Sequence, residues 1–140
     1  SSLPGKTKTA NIFRVNNKYD FIDLPGYWFA KLWKENQKKL DDLISWYLEE
    51  FKLDIKRLVI VLDSKLWPTQ IDIDMFKFIQ EFGIPLVFVL NKTDKLSNNE
   101  ITKSLNHTQE ILFWQKIFTL SAKKGDWVNE LLRFLWEDLK

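Results

Sequence analysis

The chain contains no cysteine, which excludes disulfide bridges and any thiolate metal centre. No apolar run approaches the roughly 20 residues needed to cross a bilayer. The first residues carry no apolar signal-peptide segment, so the expectation is a soluble, cytoplasmic chain without a membrane partner. Strong charge of either sign is missing as well: a net charge of +2 with 29% charged residues is too mild to argue for nucleic acid from electrostatics alone. Internal repeats and low-complexity linkers are also lacking, so one domain is expected over residues 1–140. What the chain does have is apolar content of 45%, with seven Trp and eleven Phe. That content argues against disorder, and the aromatics are expected to fill a core rather than form recognition surfaces.

Apolar patterning sets the order of elements. Polar–apolar alternation over Ala10–Val15 reads as a strand, Asn16-Asn17-Lys18 as a turn, and Tyr19–Leu24 as the partner strand of a hairpin. From about Trp33 to Phe51, apolar residues at Leu40, Leu43, Ile44, Tyr47, Leu48 and Phe51 step by three and four, the period of an amphipathic helix. The runs Arg57–Asp63 and Ile84–Leu90 are continuous β-branched, leucine and phenylalanine stretches, which suits strands covered on both faces. Between them, Thr69 can cap a helix bearing Ile71, Met75, Phe76, Ile79 and Phe82, ended by Gly83. Ser97 and Glu100 make a capping box for a helix running toward Leu112. A short strand over Lys116–Leu120 precedes a last helix with Val128, Leu131, Leu132, Leu135, Trp136 and Leu139 on one face. His107, the only histidine, is expected on the surface of the Ser97 helix.

Buried strands separated by crossover helices predict an α/β fold with a mostly parallel sheet. In such sheets ligands bind beyond the carboxyl ends of the strands. Three short stretches lie there, in order: Asp23-Leu24-Pro25-Gly26, Asn91-Lys92-Thr93-Asp94 and Ser121-Ala122-Lys123. Each match is weak alone. Together, in order and each after a strand, they resemble the switch II, base-reading and base-backing motifs of Ras-like GTPases.

The resemblance is closer to one branch. "PGKT" before a strand, "DLPGYWFAK" after the hairpin, "VLDSKLWPTQIDIDMFKFIQEFGIPLVFVLNKTDKLS" and "SAKKGDWVNELLRFL" look like the EngB-type ribosome-assembly GTPases over essentially the whole chain. Trp28 stands where that pattern has its second switch II glycine. The resemblance implies a Ras-like P-loop GTPase three-layer fold, with GTP or GDP and Mg²⁺ as ligands. It also implies a role in large-subunit ribosome assembly and cell division, with the large ribosomal subunit or its precursor RNA as partner. A monomer is expected.

The implied site has a chemical rationale. The Asp94 carboxylate can accept parallel hydrogen bonds from N1–H and N2–H of guanine, which adenine does not offer, and such pairing rejects the wrong base by roughly four to five orders of magnitude. Asn91 can tie the loop together, the Lys92 stem can lie over the ring, and the Ala122 N–H suits guanine O6, with Ser121 and Lys123 shaping that loop. Asp23 would hold Mg²⁺ through water. Gly26, after Pro25, lets a backbone N–H approach the γ-phosphate.

Gly5-Lys6-Thr7 spells the end of a phosphate loop, but that motif must follow a buried strand and open a helix. Here only Ser1–Pro4 precede it and a strand follows. Gly5, Lys6 and Thr7 are therefore expected to form switch I, with Thr7 meeting Mg²⁺ and the γ-phosphate. By the resemblance, the chain is expected to be an N-terminally truncated G domain. The missing first strand would lie between the hairpin and the Leu58–Asp63 strand, and direct pairing of those two would overturn this expectation. Tyr27 follows the switch II glycine where a water-orienting Gln is common. The parent protein is thus expected to be a slow Mg²⁺-dependent GTPase and this chain alone inactive. Lys31, Lys34, Lys38 and Lys39 with Trp28 and Trp33 read as a solvated face or an RNA contact. The alternatives are a non-catalytic RNA-binding or interaction module on a degenerate G domain, and an Era- or Der-like GTPase fragment.

Overall fold

A computed structural model describes residues 10–24, 34–113 and 115–137, with the side chains of 34–41 excepted. The chain divides into two compact units, Ser1–Phe51 and Lys52–Lys140. Leu139, the switch I residues Gly5, Lys6 and Thr7, and the Pro25–Trp33 segment lie outside the described residues, as do the side chains of Lys34, Lys38 and Lys39.

In the first unit, β1 (Asn11–Val15) and β2 (Tyr19–Asp23) form an antiparallel hairpin. Asn16 and Asn17 both take φ 52°. Paired positive φ values are what a tight hairpin turn needs, and asparagine tolerates them. Arg14 and Asp20 face each other across the ladder, with Arg14 Nη2 donating to Asp20 Oδ2 at 3.0 Å. Helix α1 spans Lys34–Phe51, and the three-and-four spacing brings Ile44 and Leu48 to buried positions. Tyr47 packs its ring on Phe51 one turn later, with centroids 4.9 Å apart.

The second unit is built on a parallel three-stranded sheet in the order β3 (Leu58–Asp63), β4 (Leu86–Asn91), β5 (Ile117–Thr119). The crossovers are α2 (Gln70–Gln80) and α3 (Asn98–Ile111), and α4 (Val128–Glu137) follows β5. β4 is the central strand, and Val87, Phe88, Val89 and Leu90 are all buried, as its unbroken apolar run predicts. Phe76 of α2 sets its ring edge-on to Phe88 at 5.4 Å. Asp63 pairs with Asn91 in the β3–β4 register, so the two strands end level.

Helix starts follow the expected chemistry. Ser97 N–H and Oγ both donate to Glu100 Oε2 at 2.7 Å, closing the capping box of α3. Thr69 N–H and Oγ1 reach Asp72 Oδ2 at 2.7 and 2.8 Å at the start of α2.

Two expectations need correction. β3 is not covered on both faces: Ile60 and Leu62 are buried, but Val61 between them is 56% exposed. Strand residues alternate faces, and among the described residues β3 lies at the edge of its sheet. Nor do the aromatics uniformly fill the core. Phe76 and Phe88 do, whereas Trp46, Trp67, Phe113 and Trp127 are exposed. Three of these four, Trp67, Phe113 and Trp127, sit at positive φ in loops. His107 is half-buried, with its ring 4.4 Å from that of Trp67.

Candidate base-binding site at the ends of three strands

The carboxyl ends of β3, β4 and β5 bring together the residues picked out at Asn91–Asp94 and Ser121–Lys123. β4 ends at Asn91, and its carboxamide bridges to the next loop. Asn91 Oδ1 accepts from Lys92 N–H at 2.7 Å and from Ala122 N–H at 3.0 Å. Lys92 then takes the left-handed conformation (φ 68°, ψ 30°), and Thr93–Lys95 form one 3₁₀ turn. Thr93 is buried, and its N–H donates to Leu120 O at 3.3 Å.

Ser121 is fully buried at the end of β5. Its hydroxyl donates to Asp94 Oδ1 at 2.8 Å and accepts from Lys124 N–H at 3.2 Å. The Ser121-to-Asp126 loop closes on itself, with Ser121 N–H donating to Asp126 O and Gly125 N–H to Ser121 O. Gly125 has φ 78°, a conformation glycine adopts without cost. The Asp94 carboxyl is held below its ordinary value, first by the Ser121 hydrogen bond and further by the charges of Lys123 and Lys124, against some desolvation. Asp94 is therefore an ionised acceptor at neutral pH, fixed by one of its oxygens.

The Ala122 N–H, expected from the sequence to suit guanine O6, donates to Asn91 Oδ1. Asn91 ends β4 and Ala122 lies in the loop after the neighbouring β5, close enough for a carboxamide to cross between them.

Asp63 joins the cluster although nothing in the local sequence marks it. Lys92 Nζ lies 2.7 Å from Asp63 Oδ2, while Asp63 Oδ1 accepts from Lys65 N–H at 2.9 Å. Burial pushes the Asp63 carboxyl up, but the hydrogen bonds from Lys92 and Lys65, with the charges of Lys92 and Lys95, outweigh it and leave it lowered. The available signal was positional: two strands of one parallel sheet ending in Asp63 and Asn91.

Asp23 is exposed at the last position of β2 in the first unit. Thr7, its expected companion for Mg²⁺, lies outside the described residues, as do Gly5, Lys6, Pro25 and Gly26. Among the described residues no cluster of three or more His, Asp or Glu side chains could hold a metal. No helix there is long and apolar enough to cross a membrane.

A parallel α/β sheet carrying these loops at its strand ends is the arrangement of a GTP-binding domain, and residues 1–92 match the family described as 50S ribosome-binding GTPase. A probable GTP-binding protein EngB from Kosmotoga olearia is 38% identical over 138 residues, 96% of this chain and 72% of that protein. Its counterpart from Natranaerobius thermophilus is 34% identical, over 99% of this chain and 72% of its own length. The chain belongs to the EngB family of GTP-binding proteins. A crystal structure of a probable GTP-binding protein EngB superposes with a TM-score of 0.83 at 27% identity, covering 97% of this chain and 82% of that one. Era, solved with MgGDPNP and a fragment of 16S ribosomal RNA, shares the fold at 19% identity and a TM-score of 0.73, covering 96% of this chain and 45% of Era.

Proposed function

We propose that the Asn91–Asp94 and Ser121–Lys123 loops read a guanine base, and that the chain is the G domain of a nucleotide-dependent switch acting in large ribosomal subunit assembly in the cytoplasm. The observation that carries the base reading is the Asp94 carboxylate, kept ionised and oriented by the buried Ser121 hydroxyl at 2.8 Å. One oxygen is spent on that bond, and the group still has acceptor capacity for two donors on a base edge. Guanine offers N1–H and N2–H side by side; adenine offers neither there. Asn91 joins the two loops, and the Lys92 stem covers the ring. The ribosomal role is supported by the description of the family, and no membrane partner or self-association is part of the reading.

Phosphate contacts are assigned to Gly5, Lys6, Thr7, Pro25 and Gly26, and Mg²⁺ to Thr7 and Asp23. A hard cation takes oxygen donors and keeps several waters in nucleotide sites, and the exposed Asp23 carboxylate suits that donor set. When bound, Mg²⁺ would neutralise phosphate charge. Tyr27 cannot orient water as a carboxamide does, so hydrolysis is slow and depends on a partner.

The test is Asp94→Asn with calorimetric titration of GDP and xanthosine diphosphate. Loss of the two charge-assisted bonds weakens GDP by roughly a hundredfold or more. Xanthine replaces the N2 donor with a carbonyl that the new amide can serve, so xanthosine diphosphate gains relative to GDP. An unchanged order of preference would remove the base-reading assignment.

A further inference from the structure

The Lys92–Asp63 pair is a long-range ion pair at the strand ends, with partners 29 residues apart in sequence that lie at the ends of neighbouring strands. As a stabilising device it is a poor investment. Lys92 is half exposed, and exposed pairs contribute little because water screens them and two long side chains must be ordered. Its backbone is also in the left-handed region that lysine seldom adopts. What the pair achieves is geometric. Asn91 Oδ1 holds the Lys92 N–H from one side. Asp63, itself pinned by the Lys65 N–H, fixes the far end of the side chain. The four-carbon stem is thereby stretched between two anchored points beside the loop that carries Asp94.

We infer that Asp63 is a positioning residue for nucleotide binding: it holds the Lys92 ammonium so that the stem forms a fixed apolar bar over the face of the base. The inference rests on the base-reading assignment above and adds a residue from a third strand. Asp63 is held by Lys65 and Lys92, so in this role its contribution is independent of which edge the base presents. It also acts only through Lys92.

The experiment measures GDP and inosine diphosphate affinity by calorimetry for the unsubstituted protein, Asp63→Asn, Lys92→Met and the double variant. Asparagine keeps an oxygen for the Lys65 N–H, so the turn after β3 is retained, and urea unfolding checks that the fold is intact. Asp63→Asn is expected to weaken both nucleotides about fivefold to tenfold and by the same factor. In the Lys92→Met background, whose uncharged stem needs no anchor, the same change is expected to have no effect. Equal losses in both backgrounds would show a general structural role and overturn the inference, as would unchanged affinity in Asp63→Asn alone. In either case GDP binding by the unsubstituted protein leaves the base reading standing. Failure of the unsubstituted protein to bind GDP would remove both.

Discussion

Ser64 and Ser104 are two buried serines in contact, and removing their hydroxyls should have opposite effects. Ser104 Oγ, on α3, donates to Ser64 O at 2.8 Å. Ser104 is fully buried and Ser64 is 1% exposed. The Ser64 hydroxyl has no hydrogen-bond partner among the described residues. Ser104→Ala therefore leaves a buried carbonyl without its donor, a loss of about 1–3 kcal/mol. The oxygen-sized space left behind is too small for a replacement water. Alanine returns about 0.5 kcal/mol through its better helix propensity, so the net destabilisation is about 1–2 kcal/mol. Ser64→Ala deletes a polar group whose burial is uncompensated, and should stabilise by about 1 kcal/mol. Thr102, whose hydroxyl donates to Asn98 O in an exposed position, is the control: Thr102→Ala should stay within about 0.5 kcal/mol. Urea titration measures all three, as shifts in midpoint at constant slope. Heating should show the same order, at about 3 °C per kcal/mol for a chain this size. If Ser64→Ala destabilised as much as Ser104→Ala, the hydroxyl would have a partner and the reasoning would fail. A neutral Ser104→Ala would refute the orphaned-carbonyl argument.

Two further outcomes follow from the strand-end loops and the α3 cap. Ser121→Ala should let the Asp94 carboxyl rise toward its ordinary value of 3.8, read by carbon NMR titration, and weaken GDP about tenfold; an unmoved carboxyl would mean that Ser121 does not hold Asp94. Glu100 is lowered from 4.5, first by the Ser97 side-chain hydrogen bond and then by the Ser97 backbone one. A carboxyl lowered on folding adds stability above its unfolded value and loses it as pH falls through the folded one. The gap in stability between the protein and Glu100→Gln should accordingly be constant above pH 4.5 and close below it; a gap that stayed constant into acid would refute the cap assignment.

Elements that depend on local pattern could be read from the sequence. The apolar run of β4, the Asn16-Asn17 turn and the Ser97–Glu100 cap each involve residues within a few positions of one another, and each formed as the periodicity and side-chain chemistry required. The motifs at the ends of β4 and β5 were legible for the same reason. Contacts set by strand register were not. Asp63 meets Lys92, and Ala122 meets Asn91, only because three parallel strands end within a residue of one another, and no local signal encodes that. The exposure of Val61 and of Trp67 and Trp127 escaped as well. Hydrophobicity says what a side chain favours; an edge strand and a left-handed loop decide what it can reach.

The bond from Ala122 N–H to Asn91 Oδ1 lies just beyond the last β4–β5 pair, Leu90 with Thr119. It is an extra rung made by a side chain, closing a stretch of 31 residues that includes all of α3. Such a closure depends on the pairing of β5 with β4 across α3, because the cost of ordering the intervening chain must be offset by native contacts. A partly folded chain without that pairing would carry the right residues without the right shape. A nucleotide held by these loops, as proposed, would recognise the finished fold and stabilise it by mass action, about 2.7 kcal/mol at a concentration one hundred times its dissociation constant. In a newly made chain, loading with nucleotide and completion of the sheet would then be the same event.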